Sequence, residues 1–158
     1  MAFANFVLLQ IRTLKGGRKM NRILVIDDDE DMQMLYSEAL SEEGYEVLTI
    51  GDEPHLMEYI TKICPDLVVL DIRLGKYDGL DLLQEIRNTY DTLPVIICSA
   101  YPTFRYDLKS VAAVYYVDKS SNLGELKDKI RMALKGGRQA PSLSCSVEFN
   151  QKGLIPAE

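Results

Sequence analysis

The chain has 158 residues, 47% of them hydrophobic and 27% charged, which suffices for one domain with a substantial core plus modest extensions. Its formal net charge of -6 and pI near 4.9 argue against bulk nucleic-acid binding, which needs a basic surface. No apolar run approaches the ~20 residues of a membrane span. His55 is the sole histidine, and Cys64, Cys98 and Cys145 lack the spacing of a zinc ribbon or a disulfide framework.

Residues 1–20 read as an N-terminal extension, either frayed or a start set too early, with Met20 the expected true start. Its apolar part is short and precedes basic residues, the reverse of a secretory signal. From Asn21, short apolar runs alternate with helix-period segments. Ile23–Ile26 is a continuous apolar run, as expected of a strand buried on both faces. Met32, Leu35, Tyr36, Ala39 and Leu40 then recur at helical spacing, with Gly44 as the stop. Glu46–Ile50 is the second strand, and Pro54–Ile63 a helix with Leu56, Ile60 and Ile63 inward. Leu67–Leu70 is the third strand, and Asp78-Gly79 opens a helix carrying Leu80, Leu83 and Ile86. Val95–Cys98 is the fourth strand, followed by a short, poorly periodic helix around Asp107–Ala113. Val114–Val117 is the fifth strand, and Leu123, Leu126, Ile130 and Leu134 stripe the last helix. Cys64 and Cys98 lie in apolar surroundings and read as buried thiols.

This alternation predicts an α/β domain over residues 21–135, a five-stranded parallel sheet doubly wound by helices. Residues 136–158 carry Gly, Pro and Ser without clear period and read as a flexible C-terminal tail.

In such a sheet, ligands bind outside the carboxyl ends of the strands. The first run ends in Asp27-Asp28, the third in Asp71, the fourth in Ser99 and the fifth in Asp118-Lys119. An acid after a strand is often only a helix cap, and Asp29, with Glu30 and Asp31 behind it, reads that way. Four strands ending in such groups at one rim point instead to a site. Clustered carboxylates raise one another's pKa unless a cation intervenes, and a hard ion such as Mg²⁺ (or Mn²⁺) suits their oxygens. Lys119 can set a positive charge beside a phosphoryl group, and Ser99 can donate a hydrogen bond to it. A carboxylate between metal and lysine is placed to attack phosphorus. Neither G-x-x-x-x-G-K-[ST] nor G-x-G-x-x-G occurs, so the phosphoryl donor must come from elsewhere.

ILVIDDDEDM, LVVLDIRLGKYDGLDLL, PVIICSA and VYYVDKS, in this order and spacing, resemble the receiver domain of two-component response regulators. The resemblance covers about residues 21–134. It implies the flavodoxin-like (βα)5 fold with strand order 2-1-3-4-5. By it Asp71 is the phosphoacceptor, and Asp27 and Asp28 belong to the Mg²⁺ site with Asp71 and the backbone carbonyl of Arg73. Ser99 corresponds to the switch hydroxyl, Lys119 to the phosphoryl-binding lysine and Tyr116 to the switch aromatic. A sensor histidine kinase or His-containing phosphotransfer protein would supply the phosphoryl group in the cytoplasm. Output would follow through the face of the fourth helix, fifth strand and fifth helix, to a downstream protein or a homodimer partner. Receivers usually carry Lys-Pro where this chain has Lys119-Ser120, and Pro where it has Gly75; the fourth helix is also short. Arg73 and Tyr101, each two residues beyond a rim group, are candidates for shielding an acyl phosphate from water and so setting its lifetime.

The leading expectation is a phosphoacceptor signalling module rather than an enzyme, acting through protein contacts rather than on nucleic acid or membrane. A receiver-shaped scaffold that is never phosphorylated is one alternative. A haloacid-dehalogenase-like phosphatase is another; it needs a further acidic motif at a strand end, whereas only helix acids such as Glu125 and Asp128 follow Lys119.

Overall fold

The computed structural model describes residues 20–119 and 123–136; the N-terminal extension up to residue 19, Ser120 and the tail beyond 136 lie outside them. Strands β1 (Arg22–Ile26), β2 (Glu46–Ile50), β3 (Leu67–Leu70), β4 (Val95–Ser99) and β5 (Tyr115–Asp118) form one parallel sheet in the order β2-β1-β3-β4-β5. Helices α1 (Glu30–Glu42), α2 (Leu56–Ile63), α3 (Gly79–Thr89) and α4 (Leu123–Gly136) follow or precede them. The expected doubly wound α/β architecture is present.

Strand alternation divides the core into two layers. Leu24, Ile26, Val68, Leu70, Val95 and Ile97 pack toward Leu56 and Ile60 of α2 and Leu83 and Ile86 of α3. Ile23, Val25, Leu67, Val69, Ile96 and Cys98 pack toward Tyr36 and Leu40 of α1 and Leu126 and Ile130 of α4. Because both faces are covered, β1, β3 and β4 are buried along their whole length, which is why they read as unbroken apolar runs. Tyr115 and Tyr116 lie in opposite layers, both half-buried.

Several local expectations are corrected. The helix expected from Pro54 begins at Leu56, because His55 takes a left-handed conformation at φ 65°. The short fourth helix is a pair of 3₁₀ turns, Pro102–Tyr106 and Leu108–Ala112. Proline opens the first turn, and the Asp107 carboxylate between them accepts the Lys109 N–H, so local capping displaces a continuous ladder. Leu35 is 43% exposed, since α1 buries only the narrower stripe of Tyr36, Ala39 and Leu40. Cys98 is the buried free thiol expected, whereas Cys64 is only half-buried. Gly136, expected in the tail, ends α4. Between β3 and α3 the chain also makes a small antiparallel hairpin, Arg73–Leu74 with Tyr77–Asp78, that no periodicity foretold.

Candidate functional site

The strand register builds the site. Ile26, Leu70, Ile97 and Tyr116 lie side by side across β1, β3, β4 and β5. One step further along the chain come Asp27 and Asp71, and two steps further Ser99 and Asp118. The ladder continues past the strands, with Asp27 N–H donating to the Ile50 carbonyl (3.0 Å) and Asp71 N–H to that of Ile26 (2.9 Å). Lys119 N–H donates to the Ser99 carbonyl (3.0 Å), which fixes the start of the lysine loop.

The rim groups meet. Lys119 Nζ bridges Asp27 Oδ2 at 2.7 Å and Asp71 Oδ2 at 2.8 Å. Both acids are buried, at 2% and 6% exposure, while Asp28 is exposed. Burial pushes the Asp27 carboxyl above the usual carboxylate range, against the pull of the Lys119 hydrogen bond and the Asp29 N–H. Burial opposes the charge on Lys119 too, yet its bonds to Asp27 and Asp71 hold its pKa above the ordinary lysine value. The rim thus holds one ammonium and three carboxylates, Asp27, Asp28 and Asp71, each offering an oxygen within 4.8 Å of the others. This hard-oxygen, net-negative donor set fits a divalent cation.

Around the acids, each loop is held by its own chemistry. The Asp27 carboxylate accepts the Asp29 N–H (3.1 Å), and Gln33 Nε2 donates to the Asp27 carbonyl (2.6 Å). Asp29 caps α1 by accepting from Asp31 and Met32 N–H, the role its position in the acidic run predicted. Asp78 caps α3 in the same way through Leu80 N–H. Gly79 lets α3 start hard against the phosphoacceptor candidate, because a Cβ there would collide with the Asp71 carbonyl. Among the described residues the buried side-chain nitrogens and oxygens all have partners.

Ser99 is fully buried, and its hydroxyl accepts the Tyr101 N–H at 3.3 Å. The Tyr116 hydroxyl donates to the Tyr101 carbonyl at 2.5 Å, and Arg105 lies over the Tyr116 ring at 5.3 Å. The switch candidates are thus joined through the backbone of one residue. Arg73 extends its guanidinium over the Tyr101 ring at 4.8 Å, so the two lifetime candidates cover one side of the rim together. Sequence reasoning noted Gly75 only as a departure from the usual proline and gave it no role; its N–H donates to Asp28 Oδ2 at 2.9 Å. The available signal was a glycine standing where the family resemblance leads one to expect proline. Glu125 and Asp128 lie on α4, where Asp128 pairs with Arg131.

The family model described as response regulator receiver domain matches residues 23–131, and the chain belongs to that family. The response regulator TrrA of Thermotoga maritima, solved in complex with Mg²⁺–BeF, is 41% identical over 72% of this chain and 99% of its own, with a TM-score of 0.67. In its complex with the histidine kinase ThkA, the same protein matches at 40% identity, 73% of this chain, 99% of that one and TM-score 0.66. Sporulation initiation phosphotransferase F of Bacillus subtilis is 27% identical over 72% of this chain and 93% of its own. The regulatory protein AtoC of Escherichia coli is 30% identical over 73% of this chain, which spans 26% of that protein's length. None of the helices described is long and apolar enough to cross a membrane.

Proposed function

We propose that this chain accepts a phosphoryl group onto Asp71 from a sensor histidine kinase or a His-containing phosphotransfer protein, and signals the change by protein contact. The observation that carries the reading is the bridge from Lys119 to Asp27 and Asp71, which brings three strand ends into one cluster. An oxygen of Asp71 attacks the donor phosphorus; the P–O bond forms as the P–N bond breaks, and the departing imidazole takes a proton from solvent. Lys119 and Ser99 hold the oxygens of the transferred group, the first by charge and the second by its hydroxyl. Asp27, Asp28, Asp71 and the Arg73 carbonyl would hold Mg²⁺ (or Mn²⁺), which when bound neutralises charge on the acids and on the transferring group.

Phosphorylation draws Ser99 toward the new group. Tyr101 and Tyr116 are tied to Ser99, so they carry the movement to the 3₁₀ pair, β5 and α4. That face offers Tyr106, Leu108 and Val111, all strongly exposed, to a downstream protein or a second copy. Arg87 anchors it from beneath, donating to the Ala112 carbonyl at 2.7 Å. The net charge of -6 favours protein partners over nucleic acid. On this reading the chain catalyses only its own phosphorylation and dephosphorylation, and works in the cytoplasm beside its kinase.

The test is incubation with a small phosphodonor and Mg²⁺, read by intact mass. Wild type gains one phosphoryl group and Asp71→Asn gains none. No gain by wild type under any condition leaves a receiver-shaped scaffold. Turnover of a phosphomonoester that Asp27→Asn abolishes and Asp71→Asn spares would establish the phosphatase instead.

A further inference from the structure

Asp28 differs from the other two acids of the cluster in how it is held. Asp27 and Asp71 are buried and tied to Lys119. The Asp28 side chain is exposed, so packing does not fix its rotamer, and the hydrogen bond that orients it comes from Gly75 N–H at 2.9 Å. Gly75 lies across the rim, in the loop of the hairpin Arg73–Leu74/Tyr77–Asp78.

Two further features bind that position to glycine. Its φ is +51°, the left-handed region, as at the first central residue of a primed hairpin turn. A Cβ there would also run into the carboxylate of Asp52, from the loop after β2. Gly75 therefore sits between Asp28 and Asp52, which come from two other loops. The proline that the family resemblance leads one to expect supplies neither the positive φ nor an N–H.

We propose that Gly75 is a positioning residue for the metal site, its backbone N–H holding Asp28 Oδ2 so that the carboxylate is preset toward a divalent cation shared with Asp27 and Asp71. This rests on the metal-site reading given above. The amide and the cation do not compete: a carboxylate has lone pairs for both. Fixing the rotamer in advance lowers the ordering cost of binding.

Variants separate the hydrogen bond from the space. Gly75→Ala alone strains the loop at its positive φ and crowds the exposed Asp52 carboxylate, which draws the N–H off Asp28. Adding Asp52→Ala frees the space while keeping the N–H at a strained φ, and Gly75→Pro with Asp52→Ala removes the N–H and the positive φ together. Mg²⁺ affinity is measured by calorimetry, against Asp52→Ala as the baseline and with urea midpoints to report folding. The Gly75→Pro/Asp52→Ala protein is expected to bind Mg²⁺ about fivefold more weakly than the baseline. The Gly75→Ala/Asp52→Ala protein is expected to recover only part of the affinity that Gly75→Ala loses, because the positive φ strains any side chain at this position. The Gly75 amide proton resonance of wild type should also shift on Asp28→Asn substitution, without any metal added. Equal affinity in the proline and alanine double variants, or an amide resonance indifferent to Asp28, overturns the positioning role alone. Failure of wild type to bind Mg²⁺ overturns the metal site and the proposal with it.

Discussion

β1 begins and ends in a buried charge, and the two ends behave differently. At its start, Arg22 is 3% exposed, with its guanidinium forked onto both Glu46 oxygens at 3.0 and 2.9 Å and a further bond to the Ile63 carbonyl at 2.6 Å. At the strand's end, Asp27 is as deeply buried, but it shares a single ammonium with Asp71 while Asp28 stands nearby. The lower pair is closed: one guanidinium charge meets one carboxylate charge through two hydrogen bonds. The upper cluster keeps more negative charge than its lysine can balance. Burial alone therefore does not mark a functional charge; incomplete neutralisation does.

The largest expected effects lie in separating these ends. Asp71→Asn should abolish phosphoryl uptake outright while the protein stays folded, since Lys119 keeps Asp27 as partner. Arg22→Ala should do the reverse. It leaves Glu46 and the Ile63 carbonyl without their donor, for a loss of about 1–3 kcal/mol of stability, since the Glu46 carboxylate reaches solvent. Urea denaturation measures the second and intact mass the first. An Arg22→Ala protein that is fully stable, or that is folded but takes up no phosphoryl group, would erase the distinction.

A smaller effect follows from pH. Burial raises the Asp27 carboxyl above its unfolded value of 3.8. A group whose pKa is raised on folding adds stability below its unfolded pKa and loses it as pH rises through the folded one. Metal-free protein should therefore gain stability at this position as pH falls from neutral into the carboxylate range. Asp27→Asn should remove that slope and leave the metal-free protein more stable at pH 7. Lys119, also raised, gives support that is lost only at alkaline pH, above its ordinary value of 10.5. Urea midpoints of both proteins, in chelator and across pH, check the sign. Added Mg²⁺ should stabilise wild type and not Asp27→Asn.

The contrast between the two ends was only half legible in the sequence. The carboxyl ends of apolar runs can be read directly, because a strand covered on both faces has no polar residue until the chain leaves the sheet. That placed Asp27, Asp71, Ser99 and Lys119 at one rim. The Arg22–Glu46 pair needed the register between β1 and β2, where the two residues stand opposite each other, and one chain's pattern does not fix register. The hairpin at Arg73–Asp78 escaped because two-residue strands have no period to detect. Leu35 was misplaced because helical spacing gives a stripe without saying how wide a stripe the neighbouring elements cover.

The smallest expected effect concerns the side of the upper cluster that solvent can reach. Arg73 and Tyr101 are both exposed, yet they lie against each other at 4.8 Å above the rim, one from the hairpin and one from the loop after β4. Water must reach phosphorus in line with the bond to Asp71 for the acyl phosphate to hydrolyse, and a stacked guanidinium and ring narrow that approach. The pair is solvent-exposed, so its own attraction is worth only about 0.5–1 kcal/mol. Each side chain should then retain part of the shield alone. Arg73→Asn and Tyr101→Ala should each speed loss of the phosphoryl group by a few fold, and the double variant by less than the product of the two, because the second substitution removes a contact already broken. Decay of the phosphorylated mass with time measures all three. Unchanged decay in the double variant would show that both side chains merely face solvent, and multiplicative effects would show that they shield the site independently.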